Sequence, residues 1–155
     1  MMKTDYIIAS LLGALWLSGC ASTDSKKSTS LANAQVDALT SRNLDPGECG
    51  LFVWAGEARR FILFSQGGQG AVLARGGDEV ALSAQTRADD GDLYGQIPIQ
   101  TFSDPDGKIY DLSLSGSSDL AGGTRYTAGT WKHKDSEGWD VVTPVYGLST
   151  CRPVA

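Results

Sequence analysis

Ala71-Val72-Leu73-Ala74-Arg75-Gly76-Gly77-Asp78-Glu79-Val80-Ala81-Leu82-Ser83-Ala84 is the stretch from which the fold is read. Two apolar runs, 71–75 and 79–84, flank a Gly-Gly pair, the composition of a two-residue hairpin link. In the second run Val80, Leu82 and Ala84 fall on one face, and Glu79 and Ser83 on the other. That is the period of a strand with one buried side. The same period continues in both directions along the chain. Upstream, 50–55 and 61–65 are dense in Phe, Val, Ile and Trp and predict central strands buried on both faces, joined through 56–58. Downstream, 94–102 is interrupted by Pro98, which offers no N–H to a ladder, and predicts an edge or bulged strand. The turn Asp104-Pro105-Asp106-Gly107 leads into 108–115, where Tyr110, Leu112 and Leu114 point inward and Asp111 and Ser113 outward. Segments 124–131, 139–143 and 145–151 complete the set, with Pro144 separating the last two. About eight strands at this spacing, with no helix-length apolar period, predict an all-β domain, an antiparallel sandwich or a small barrel.

Ahead of the strands the character changes. Lys3 is followed by an apolar run over 7–17, then by the small residues Ser18 and Gly19 and by Cys20. This is the layout of an export signal, and the run is well short of the roughly 20 residues that a spanning helix needs. Leu17-Ser18-Gly19-Cys20 resembles the recognition site of bacterial lipoprotein signal peptidase. The resemblance implies removal of residues 1–19 and lipidation of Cys20, with a diacylglyceryl thioether and an acyl (palmitate-type) amide. Ala21 rather than an aspartate follows the cysteine. By similarity to lipoproteins of two-membrane bacteria, this implies an outer-membrane anchor with the domain facing the periplasm. Residues 20–48 are rich in Ser, Thr, Ala and Asn and read as the lipidated N-terminus and a flexible tether, about 30 Å long as a coil. One weak helix is expected over 31–39, on Leu31, Val36 and Leu39. The folded domain is expected over 49–155.

The formal charge is −5, and one cation (Lys3) and one anion (Asp5) leave together with the signal segment. A mildly acidic chain is a poor match for nucleic acid or anionic headgroups, so the expected membrane contact is the lipid alone. With Cys20 acylated, Cys49 and Cys151 remain, in an oxidising compartment, one at each end of the domain. A bridge across that length contributes up to about 4–5 kcal/mol in the chain-entropy picture. The competing reading is a redox or metal pair, and it lacks both a CxxC spacing and a further soft ligand.

Catalytic signals are sparse. His133 is the one histidine and falls in Lys132-His133-Lys134-Asp135-Ser136-Glu137-Gly138, which reads as an exposed hairpin tip, not as a member of a buried triad. Asp89, Asp90 and Asp92, with Asp104 and Asp106, read as turn residues; Asp104-x-Asp106-Gly107 lacks the third alternate-position ligand and the distal Glu of a calcium loop, and the alternative is a weak calcium site formed by the two acidic loops together. Gly67-Gly68-Gln69-Gly70 lacks the following helix and Lys-Ser/Thr of a phosphate loop. No catalytic residue, metal or cofactor is therefore expected. Trp54, Tyr126, Trp131, Trp139 and Tyr146 are strand aromatics, either core or a stacking surface for a sugar or protein partner. Trp131 and Trp139 flank the His133 segment and are expected to be cross-strand neighbours.

Gly123-Thr124-Arg125-Tyr126 followed by Trp131-Lys132 resembles the membrane-bound inhibitors of c-type lysozyme, small disulfide-closed β-barrel lipoproteins. In that family a Ser-Gly-x-x-Tyr stretch precedes Trp-x-Lys-Gly. Here Gly122 stands in the serine position, and Trp131-Lys132-His133 departs from the second spacing. The block from Cys49-Gly50-Leu51-Phe52 to Gly138-Trp139 and Cys151 is similar to small uncharacterised alphaproteobacterial lipoproteins, which implies no activity. The expectation is a non-enzymatic, lipid-anchored periplasmic domain that binds an envelope protein or cell-wall component, or supports the envelope. Tyr126, Trp131, Lys132 and Trp139 are its candidate contact residues. The alternative is an inhibitor of a lysozyme-like cell-wall hydrolase.

Overall fold

The structure, a computed structural model, describes residues 38–66, 70–85 and 94–154. Cys20, Leu31, Val36, the 67–69 loop and Asp89, Asp90 and Asp92 lie outside the described residues. The strands are β1 (Cys49–Ala55), β2 (Arg60–Ser65), β3 (Gly70–Arg75), β4 (Asp78–Ala84), β5 (Ile99–Ser103), β6 (Ile109–Leu120), β7 (Gly123–Lys134) and β8 (Asp140–Cys151). Each pairs antiparallel with the next, and β8 returns to β1, so the sheet closes into a barrel. Closure leaves no open sheet edge at that seam and wraps every inward side chain around one interior.

Two details differ from the sequence expectation. Pro144 does not divide the last strand, because a bulge in β7 between Tyr126 and Thr130 absorbs an extra residue opposite it. The proline sits where the ladder is already irregular, so its missing N–H costs no regular bond. The segment before Pro98 is not strand, and β5 starts only at Ile99. The Gly76-Gly77 link forms as expected, with both residues at positive φ (64° and 89°), as a tight hairpin requires.

The interior is packed with side chains. Leu51, Val53 and Ala55 of β1 meet Leu63, Leu73, Leu82, Phe102, Leu112, Leu114 and Val145 from the other strands. Trp131 stacks on Tyr110 at 5.3 Å and tilts against Phe102 at 6.1 Å. The outer faces of β1 and β2 carry a second aromatic group, with Phe52 5.0 Å from Phe64 and Trp54 5.7 Å from Phe61. Residues 38–48, the end of the expected tether, are seated over it. Leu39 and Leu44 are buried, Leu39 N–H donates to the Phe61 carbonyl (2.6 Å), and Arg152 Nη1 donates to the Leu44 carbonyl (2.9 Å). This cover explains why β1 and β2 read as apolar on both faces.

Cys49 and Cys151 are opposite each other in the β1–β8 ladder and form a disulfide spanning a sequence separation of 102. The bond staples the two strands whose pairing closes the barrel.

Candidate functional site

The outer wall of β5–β8 is set by strand parity. Tyr110, Leu112 and Leu114 point into the core, so Ile109, Asp111 and Ser113 point out. Register then lines up two outward rows across four strands. One is Thr101–Asp111–Lys132–Val142, and the other is Ile99–Ser113–Thr130–Pro144. Ile99 is 64% exposed, Val142 54% and Ile109 42%. Trp139, in the turn where β8 begins, is 70% exposed. Four of the large apolar side chains that the domain leaves in solvent therefore belong to one wall and its end. Between them on the same wall stand the polar residues Thr101, Asp111, Ser113, Thr130 and Lys132.

Asp135 closes the turn on the Trp139 backbone. The Trp139 N–H donates to Asp135 Oδ1 (2.9 Å), and the Trp139 carbonyl accepts from Asp135 N–H (2.9 Å). Asp135 Oδ1 also accepts from Glu137 N–H (2.9 Å). The indole is presented on a hydrogen-bonded backbone, which lowers the ordering cost of binding.

The polar groups of the wall are paired with one another. Asp140 accepts from Lys132 Nζ at 2.9 Å and from Lys134 Nζ at 3.1 Å. These hydrogen bonds, Lys132 first, hold the Asp140 carboxyl below the usual range, and the same contact raises Lys132. Thr101 Oγ1 donates to Asp111 Oδ1 (2.8 Å). Exposed pairs of this kind contribute little to stability and exchange readily for a partner's charges.

Behind the wall, at the same end, lies a buried polar cluster. Asp104 has no exposed side-chain surface. Its Oδ2 accepts from Arg75 Nη1 (2.5 Å) and from the Tyr110 hydroxyl (3.2 Å), and its Oδ1 accepts from Asp106 and Lys108 N–H (both 2.9 Å). Burial pushes the Asp104 carboxyl up, but the Lys108 N–H, Arg75 and Tyr110 together outweigh it and hold the group ionised below its ordinary value. Burial also raises Tyr110, so its phenol keeps the proton that it donates.

The sequence candidates divide. Tyr126 and Trp131 are each only 4% exposed and point into the core, so the expectation that they offer a face to a partner is corrected. Trp131 pairs with Thr143, not Trp139, because Trp139 falls in the turn and outside the ladder. Lys132 and Trp139 do lie on the surface. His133 is not at an exposed tip. It belongs to β7, its ring is half-buried against Tyr110 at 5.6 Å, and its enclosed Nδ1 has no hydrogen-bond partner. Trp54 and Tyr146 are half-buried, and the Tyr146 hydroxyl donates to the Gly56 carbonyl. Among the described residues no group of His, Cys, Asp or Glu is placed to hold a metal ion. Ile99, Ile109 and Val142 were missed as candidates. Their parity, opposite to the buried residues of the same strands, is the signal that identifies them.

Depressions also lie elsewhere on the barrel. One of about 670 Å³ sits at the disulfide end, between Glu48, Phe64, Gln66, Tyr94 and Gln96. Another, about 500 Å³ between Phe52, Trp54, Phe61 and Leu148, is bordered by Leu39 of the covering segment. The chain matches no protein family, no curated protein and no solved structure.

Proposed function

We propose that this protein is a lipid-anchored, non-enzymatic binding module of the outer membrane. Its barrel faces the periplasm and engages an envelope protein or cell-wall component through the β5–β8 wall. The observation that carries this reading is that Trp139, Val142, Ile109 and Ile99 are exposed on one wall and its end, which also carries the Lys132, Lys134 and Asp140 ion pairs. A wall that presents an exposed indole, exposed aliphatics and exchangeable charges has the composition of a protein-contact surface. The interior is filled by the core side chains, which favours contact on the outside. The anchor rests on the Cys20 signal, and Cys20→Ser should move the protein from the membrane to the soluble fraction without unfolding it.

An amine-reactive cross-linker applied to intact cells tests the wall itself, since Lys132 and Lys134 lie in it. A discrete higher-mass species is expected, lost or reduced at least tenfold in Trp139→Ala while that variant's stability changes by less than about 0.5 kcal/mol. A species unaffected by Trp139→Ala would count against the wall.

A second reading is inhibition of a lysozyme-like hydrolase. It is favoured by the closed barrel, the Cys49–Cys151 bond and the outward Lys132, features that the resemblance implies. Purified domain at micromolar concentration would then slow a c-type lysozyme, and an unchanged rate would remove this reading.

A further inference from the structure

We propose that His133 is a mild-acid switch for the β7–β8 hairpin: on gaining a proton its ring leaves Tyr110 and loosens the barrel end that carries Trp139. His133 occupies β7 between Lys132 and Lys134, and its half-buried ring lies 5.6 Å from that of Tyr110. Its Nδ1 is closed off from solvent and bonded to nothing. A neutral imidazole tolerates this if Nδ1 is the unprotonated nitrogen. An imidazolium does not, because both nitrogens must then donate.

The surrounding charges oppose the proton as well. From the β6 side come Tyr110 and Lys108, whose Nζ lies 5.5 Å from the Tyr110 ring. Through the Tyr110 hydroxyl come Arg75 of β3 and the buried Asp104, a cation and an anion already paired. From β8 the register partner is Val141, which is apolar. Lys132 and Lys134 flank the ring in sequence and are tied to Asp140. Asp135, in the adjoining turn, favours the charged form. Burial first and Lys108 second therefore lower His133 below its ordinary value, against Asp135.

The consequence has a definite sign. Unfolded chain takes up the proton near the ordinary imidazole value of about 6.5, whereas the folded chain resists it until a lower pH. Stability of this end therefore falls as pH drops below about 6.5 and levels off once the folded group is protonated. The strain is released where the ring is held. Its neighbour Tyr110 stacks on Trp131, and β7 runs directly into the turn that fixes Trp139. The neighbouring carboxyls Asp104 and Asp140 are held ionised below the ordinary carboxylate value, and His133 is the one histidine of the chain. The switch would regulate the proposed contact wall, but it is a property of the domain alone and is measured without any partner.

The test follows the near-ultraviolet circular dichroism of the Tyr110–Trp131 stack between about pH 7.5 and 5, together with the His133 imidazole resonance. The expected result is loss of the aromatic signal with a midpoint below about 6.5, in step with the resonance. His133→Phe keeps a ring against Tyr110 without a titrating group and should hold the signal flat. His133→Gln serves the same purpose if the phenylalanine variant does not fold. Lys108→Met should move the midpoint upward, a shift that a purely structural role would not produce. A flat wild-type profile, an equal loss in the non-titrating variant, or an unmoved midpoint in Lys108→Met would overturn the proposal. None of these outcomes bears on whether the wall binds a partner, which the cross-linking decides.

Discussion

Asp104 is the residue on which the turn end of the barrel depends most. Its carboxylate is fully enclosed and accepts from Arg75, Tyr110 and two backbone N–H groups, so removing it strands four donors. Arg75 is 40% exposed and can recover water, which limits the loss. Asp104→Ala should therefore cost about 2–3 kcal/mol in urea unfolding. Because the folded carboxyl is held below 3.8, its share of stability is complete above that value and disappears as pH falls through the lowered one. The Asp104→Ala variant should accordingly lose part of the wild type's acid sensitivity in that range and none of it above. The sequence showed Asp104 only as a turn residue. The partner that explains it, Arg75, lies 29 residues away, and no local pattern reports such a pairing.

Among the elements, β7 carries the most constraint. Gly129 sits at its bulge, and a Cβ there would stand 2.5 Å from the Ser113 carbonyl and 2.7 Å from Leu114 Cδ2. The backbone cannot yield without parting β6 from β7, so Gly129→Ala should cost about 1–3 kcal/mol, whereas the exposed Ser115→Ala should change stability by less than about 0.5 kcal/mol. Thermal or urea unfolding of the pair measures the difference. Strands were the most legible level of the sequence. The alternation at Tyr110, Leu112 and Leu114 and the Gly76-Gly77 hairpin both hold in the structure. What alternation cannot show is a bulge, and the bulge is why Pro144 lies inside one strand instead of between two. It also cannot show which apolar strand residues receive cover. Tyr126 and Trp131 resemble Trp139 in composition, but parity places the first two inside and the turn leaves the third outside. The candidate site was thus half legible, through Lys132 and Trp139, and its aliphatic members emerged only once register was known.

For the molecule as a whole, closure of β8 on β1 organises everything else. The Cys49–Cys151 bond joins the first strand to the last, so it restrains nearly the full folded chain. Replacing both cysteines with alanine should reduce stability by about 3–5 kcal/mol and lower Tm by more than roughly 10 °C. An unchanged Tm would show that the ladder closes without the bond. The barrel interior is packed with side chains, and among the described residues the β5–β8 wall and its turn carry Ile99, Ile109, Val142 and Trp139 exposed, which is the basis of the proposed contact wall. The most direct measurement of that claim places a photo-activated cross-linking residue at Val142, in the wall, and separately at Arg59, in the turn between β1 and β2, in cells making the full chain. One discrete adduct is expected from the Val142 position, weakened by Trp139→Ala, and none from Arg59. Equal labelling from both positions, or adducts from Arg59 alone, would contradict it.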